Sequence, residues 1–246
     1  RFAPEPLSPA ETASAAGRDL AEAPDAVRAD VPDWCAPLLE RAFGAGWVEE
    51  AAALAARPPL DLRVNTLKSS RDGVLAELAD AGAAAAPFLP DAVRIPAIVG
   101  DGRHPNVQAE PAFQKGWFEV QDLGSQMVAR LAGAAPGMQV LDYCAGAGGK
   151  TLAMSAAMAN SGQIFAYDSE KARLAPIFER LKRAECRNVQ VVSRAAELEA
   201  LRVRMDLVLV DAPCTGSGTW RRRPDAKWRL TERQLGIRRN AQAAIL

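Results

Sequence analysis

A strand, a glycine loop and a helix in immediate succession constrain this chain more than any other feature. The segment Val140-Leu-Asp-Tyr-Cys-Ala-Gly-Ala-Gly-Gly-Lys-Thr151 continues an apolar strand read over 139–143. It then carries glycines at 146, 148 and 149 and runs into a small-residue helix over about 150–158. Three clustered glycines are costly unless something approaches the backbone closely. The turn places main-chain N–H groups where an adenosine-type cofactor can sit against the chain. Such a unit belongs to an α/β, Rossmann-like fold with a mostly parallel sheet covered by helices on both faces.

The second half of the chain follows that plan. Strands are expected at 163–167, 189–192 and 205–210, with helices at 125–131 and about 170–183 and a short one near 197–202. Upstream, Trp34, Leu38, Leu39 and Phe43 fall at helical spacing, closed by Gly44 and Gly46, and a second helix spans 48–56. Residues 60–66 alternate as a strand, Ser69-Ser70-Arg71-Asp72 caps a helix to about Ala81, and 84–98 holds a proline-broken strand region. Three segments result: a lead-in and helical region over 1–58, a small αβ module of RNA-binding type over 59–115, and the main domain over 116–246. A helical stretch at 231–246 is still running at Leu246, and the last strand is left as an edge, so the C-terminal part of the domain is expected to lie beyond these residues.

Composition narrows the function classes. Of 246 residues 49% are apolar, so a sizeable core is expected. Net charge is zero, but 1–115 carry a balance of −6 and 116–246 a balance of +6, which points the second half toward an anionic partner. Cys35, Cys144, Cys186 and Cys214 form no C-x-x-C pair, and His104 is the single histidine, so no metal site is expected. No signal-peptide shape and no long apolar run occur, consistent with a cytoplasmic protein without membrane contact.

The glycine loop is neither a Walker A phosphate loop, which needs glycine where Cys144 stands, nor G-x-G-x-x-G, because Gly149 directly follows Gly148. Asp168, at the end of the next strand, suits the diol of a ribose. The second apolar run, Leu207-Val-Leu-Val-Asp-Ala-Pro-Cys214, delivers Asp211 to the carboxyl end of a parallel strand, and Pro213 stiffens the turn that presents Cys214. C5 of a pyrimidine is a poor nucleophile. Thiolate attack at C6 makes C5 able to take a methyl group, whereas methylation of an amino group needs no thiol. A buried, inert cysteine is the competing reading of Cys214. From 221 to 239 eight Lys/Arg face two Asp/Glu, with Trp220 and Trp228 beside them, which reads either as a phosphate-and-base surface or as a solvated helix face with core tryptophans.

Taken in order, Phe118-Glu-Val-Gln-Asp122, Asp142-Tyr-Cys-Ala-Gly-Ala-Gly-Gly-Lys-Thr151, Asp211-Ala-Pro-Cys-Thr-Gly216, Arg221-Arg-Arg-Pro-Asp225 and Lys227-Trp228 resemble the RNA (cytosine-5) methyltransferases of the Sun/Nop type, which include the bacterial ribosomal RNA enzyme. Leu62-Arg-Val-Asn65 matches the segment before their catalytic domain, and the resemblance covers about 31–246. It implies a class I methyltransferase domain, S-adenosylmethionine as cofactor and RNA as partner, ribosomal in preference to transfer RNA. Cofactor contacts would fall to Cys144, Ala145, Gly146, Ala147, Gly148, Gly149, Lys150, Asp168 and Asp211, and RNA contacts to Arg63, Asn65, Arg221, Arg222, Arg223 and Lys227. Asp211 and Cys214 would be catalytic, Cys214 releasing product, while the attacking cysteine sits in a Thr-Cys-Ser segment that these residues do not contain. Two departures stand out. Val192-Ser-Arg-Ala195 lacks the acidic residue many members place near the adenine, and Leu123 replaces an acidic residue after Gln-Asp. A monomer is expected. The rivals are an RNA-binding module that keeps the cofactor fold without turnover, and methyl transfer to transfer RNA or to nitrogen.

Overall fold

The computed structural model describes residues 6–16, 18–100 and 102–246. They divide into two compact units, one running up to Arg57 and taking in Cys214–Ala244, the other Pro58–Pro213 with Ile245–Leu246. The first unit is helical. Its helices Asp25–Arg28, Ala36–Phe43 and Trp47–Ala53 supply Ala29, Val31, Cys35, Trp47 and Ala51 to one small core, which Trp220 joins from the returning segment. Helices Asp225–Arg229 and Glu232–Ile245 follow Trp220 in this unit. The segment from 214 onward, expected to belong wholly to the main domain, packs in part with the N-terminal helices because a large indole needs an apolar pocket.

The second unit holds two four-stranded sheets. β1 (Leu60–Val64), β2 (Ala84–Ala85), β3 (Ala92–Ile95) and β4 (Phe118–Val120) form an antiparallel sheet in the order β2-β3-β1-β4. The expected strand region at 84–98 is therefore two strands, with Pro87 and Pro90 in the bend between them. β4 lies past the expected boundary at 115/116, so that boundary is not a break in packing. Helix Arg71–Glu77 starts at Ser70, whose hydroxyl accepts the Gly73 N–H at 3.1 Å. Leu62, Val64, Val74, Val93, Ile95, Phe113 and Phe118 make this module's core.

β5 (Gln139–Asp142), β6 (Gln163–Tyr167), β7 (Val189–Val192) and β8 (Leu207–Leu209) form a parallel sheet in the order β7-β6-β5-β8. Helix Leu123–Leu131 precedes β5 and helix Gly149–Ala157 follows it. The long helix expected over 170–183 is two, Lys171–Leu174 and Ile177–Ala184, divided at Pro176, which has no N–H to continue the first. Val140, Met154, Met158 and Ile164 make one apolar cluster against the sheet, and Leu152, Ala166, Leu174, Ile177 and Leu181 a second.

Strand alternation decides how the two sheets meet. Leu62 and Val64 of β1 enter the module's own core, so Asp61 and Arg63 project to the opposite face. That face is buried and polar. Asp61 accepts from Arg94 Nε at 2.6 Å and from the Leu123 N–H at 3.0 Å. Asn65, just past β1, donates its amide to Gly116 O and Ala184 O, both at 2.9 Å. Gly116, at φ +76°, is obligatory in this seam, since a Cβ there would sit 2.0 Å from Arg183 O. Glu119 of β4 receives both Arg180, at 2.9 Å, and Arg183. Among the described residues no helix is long and apolar enough to cross a membrane.

Candidate functional site

The glycine loop is stitched to its neighbouring strands by main-chain bonds. Tyr143 N–H reaches Leu209 O and Ala145 N–H reaches Tyr167 O, both at 2.9 Å. Gly148 is left-handed at φ +81°, and a Cβ there would meet Ile177 at 2.5 Å, so a side chain would suffer backbone strain and collision together. No side chain caps helix Gly149–Ala157 at its start, the condition under which a helix N-terminus serves a ligand.

A cavity of about 200 Å³ opens there. The loop contributes Cys144, Ala145, Gly146, Ala147, Gly149 and Lys150, and Ser125, Asp142, Arg173 and Asp211 close the rest. Gly148 and Asp168, both expected at the site, are not among the lining. Asp168 supports it from behind: Oδ2 accepts the Gly146 N–H at 3.0 Å, Oδ1 accepts the Glu170 N–H at 2.9 Å, and Arg173 Nη1 lies 3.8 Å away. Lys150 Nζ donates to Asp211 Oδ2 at 2.6 Å, which fixes Asp211 at the cavity's edge although its side chain is half exposed.

Asp142 is the most unusual group. It is 1% exposed, its Oδ2 accepts the Thr151 hydroxyl at 2.7 Å, and its Oδ1 has no partner. Burial pushes its pKa up to about 6, against the opposing pull of the Thr151 hydrogen bond and the Lys150 charge. The Cys144 thiol is likewise pushed up, by burial first and then by Asp168 and Asp142, the reverse of an activated thiolate. Cys214 is an exposed free thiol.

Three residues expected to contact RNA are buried in the fold. Lys227 is 2% exposed and pairs with Asp30, both within the helical unit. Asn65 spends its amide on the seam's carbonyls, and Arg63 is 8% exposed. Each is held inward by burial or by a partner distant in sequence. Arg222 and Arg223 are exposed, Arg221 is half-buried, and Trp228 is exposed while Trp220 is core.

Sequence reasoning missed Ser125, Arg173 and Arg180. Arg180 donates to Ala147 O at 2.7 Å while bound to Glu119, so it braces the loop from the antiparallel module. Nothing in its helical, basic context, Glu179-Arg-Leu-Lys-Arg183, distinguishes it from a solvated arginine.

Comparisons with known proteins bear on this geometry. Residues 131–246 match the family model of the 16S rRNA methyltransferase RsmB/F, and 31–99 match the ferredoxin-like domain of RsmF/B-like methyltransferases. The chain is 36% identical over 219 residues to ribosomal RNA small subunit methyltransferase B of Klebsiella pneumoniae, covering 87% of this chain and 49% of that protein. It spans about half the length of the curated relatives it matches. A methyltransferase homolog protein from Pyrococcus horikoshii superimposes with a TM-score of 0.67 at 26% identity, over 79% of this chain and 64% of that one. NSun6 from Pyrococcus horikoshii, solved with SFG, superimposes with a TM-score of 0.72 over 87% of this chain and 78% of its own; at 21% identity it shares the fold.

Proposed function

Given that this chain belongs to the RsmB/F methyltransferase family, we propose that the cavity beside the glycine loop binds S-adenosylmethionine, and that the complete protein methylates C5 of a cytosine in ribosomal RNA. The carrying observation is the unpartnered Oδ1 of Asp142, a buried carboxylate oxygen beside a cavity lined by the glycine loop and the uncapped start of helix Gly149–Ala157. A ligand with an ammonium group and a ribose completes both. When bound, this cofactor supplies an electrophilic methyl group.

The chain's own residues do the rest. The loop from Cys144 to Gly149 lies against the adenosyl group, and Asp168, already anchoring Gly146, accepts from the ribose hydroxyls. That contact requires Arg173, near 3.8 Å from Asp168, to share the carboxylate. Asp211, oriented by Lys150, hydrogen-bonds the N3/N4 edge of the cytosine. The base must be unpaired or flipped to reach it. A thiolate adds at C6, C5 takes the methyl group, and loss of the C5 proton with expulsion of the thiolate restores the ring. The resemblance gives attack to the Thr-Cys-Ser cysteine and elimination to Cys214. Exposed Arg222 and Arg223 contact RNA phosphates.

Two readouts on the intact protein test this. Nucleoside analysis of ribosomal RNA after turnover should show 5-methylcytosine; methyl on nitrogen, or none, overturns the reading. Cys214→Ser should accumulate a covalent protein–RNA adduct, seen as a slow band on a denaturing gel. An inactive variant without adduct makes Cys214 the nucleophile and reverses the assigned roles.

A further inference from the structure

Arg63 leaves β1 into the polar seam, and its Nε and Nη1 are buried without a hydrogen-bond partner. It stands opposite Glu119 in the β1–β4 register. Glu119 already receives Arg180 and Arg183. Three guanidinium groups therefore gather round one buried carboxylate, two of them bonded to it and Arg63 opposite it in the register. Burial pulls the Arg63 guanidinium down to about 10; Glu119, Cys186 and Asp91 oppose that pull, and Arg180 adds to it. An excess of buried positive charge is costly unless an anion completes it.

A cavity of about 270 Å³ adjoins Arg63. Arg130, Thr66 and Gln126 give it further hydrogen-bonding groups, Asp91 is the single carboxylate in its lining, and Ala153 and Ala156 leave the space that larger side chains would fill. It lies along the later turns of helix Gly149–Ala157, whereas the cofactor cavity takes that helix's first residues, Gly149 and Lys150. A guanidinium in the lining, a second arginine and neutral polar neighbours suit a tetrahedral oxyanion.

We propose that the Arg63 cavity is a second binding site, specific for a phosphate group and distinct from the cofactor pocket. The phosphate comes either from solution or from the RNA backbone. The inference does not depend on the methyl-transfer reading, since the charge imbalance and the cavity stand without it.

Calorimetric titration of inorganic phosphate, in chloride buffer free of sulfate, tests it on the full chain. Wild type should bind saturably. Arg130→Gln should weaken binding by about tenfold, the loss of one charge-assisted hydrogen bond. Ala156→Leu, which fills the cavity without touching a charge, should abolish it. S-adenosylmethionine titrated into both variants should behave as in wild type, which excludes misfolding as the cause. A single-stranded RNA added first separates the sources: competition with phosphate assigns the site to the RNA backbone, and additive binding assigns it to free phosphate. Absence of saturable binding to wild type, or unchanged binding in Ala156→Leu, overturns the proposal.

Discussion

The two sheets of the larger unit use charge in opposite ways. At the carboxyl ends of the parallel strands, Asp142, Lys150 and Asp211 gather round a cavity and leave one carboxylate oxygen without a donor. Across β1 and β4 of the antiparallel sheet, Asp61, Arg63 and Glu119 face inward, and Asp61 and Glu119 are tied by ion pairs to arginines of other elements. The first arrangement is open to a ligand because strand ends stop where the loops begin. Apart from the cavity beside Arg63 the second is closed, because the middle of a strand can only present its polar face to another layer. Arg180 joins the two, holding Glu119 with one part of its guanidinium and Ala147 O with another. The glycine loop is thus set in part from the antiparallel module.

The largest effect that sharpens this contrast is expected at Glu119. Glu119→Ala strands Arg63, Arg180 and Arg183 without their shared carboxylate and should destabilise the larger unit by about 3–5 kcal/mol. Urea unfolding measures it; a change within experimental scatter would mean the seam is solvated rather than closed.

Asp142 should show the opposite pattern, a charged group that the fold tolerates rather than needs. Its folded pKa of about 6 lies above the ordinary 3.8. A carboxyl raised on folding contributes stability below its unfolded value and loses it as pH rises through its folded value. Relative to Asp142→Asn, wild type should therefore lose on the order of 2–3 kcal/mol between about pH 4 and about pH 7. Parallel pH profiles for the two proteins would place Asp142 in water.

Gly148→Ala should cost about 1–3 kcal/mol of stability through its left-handed backbone, and more of cofactor affinity through the collision with Ile177. Equal melting temperatures would contradict the loop geometry. Smallest is the effect at the helical unit: Arg222→Ala with Arg223→Ala should flatten the log–log salt dependence of single-stranded RNA binding by about 0.7 for each phosphate that is no longer neutralised. Lys227→Ala should leave that slope unchanged and lower stability instead, because its partner is Asp30.

What could be read from sequence follows the range of the interactions involved. The strand–loop–helix at 139–158 is local, so its glycines, its strand and its helix start were all legible, as were the Leu-Val run that carries Asp211 and the cap at Ser70. The seam was not. Asn65 is bonded to Ala184, 119 residues away, and Lys227 to Asp30, 197 residues away, and no local pattern marks a residue whose partner is that distant. Three-residue β4 was hidden for another reason: Phe118-Glu-Val120 is too short to show alternation, and its pairing with β1 is set by the sheet. Arg63 and Asn65 were expected to meet RNA because of the motif they belong to; the position of β1 between two layers buries both, Asn65 on the seam's carbonyls and Arg63 beside its cavity.

Titration of S-adenosylmethionine into wild type and Asp168→Ala tests the central claim, that the glycine loop at the ends of the parallel strands is a cofactor site. Saturable binding in the micromolar range is expected for wild type, weakened by about 1–3 kcal/mol in the variant as hydrogen bonds to the ribose disappear. No binding to wild type, or equal affinity in the two, would contradict it.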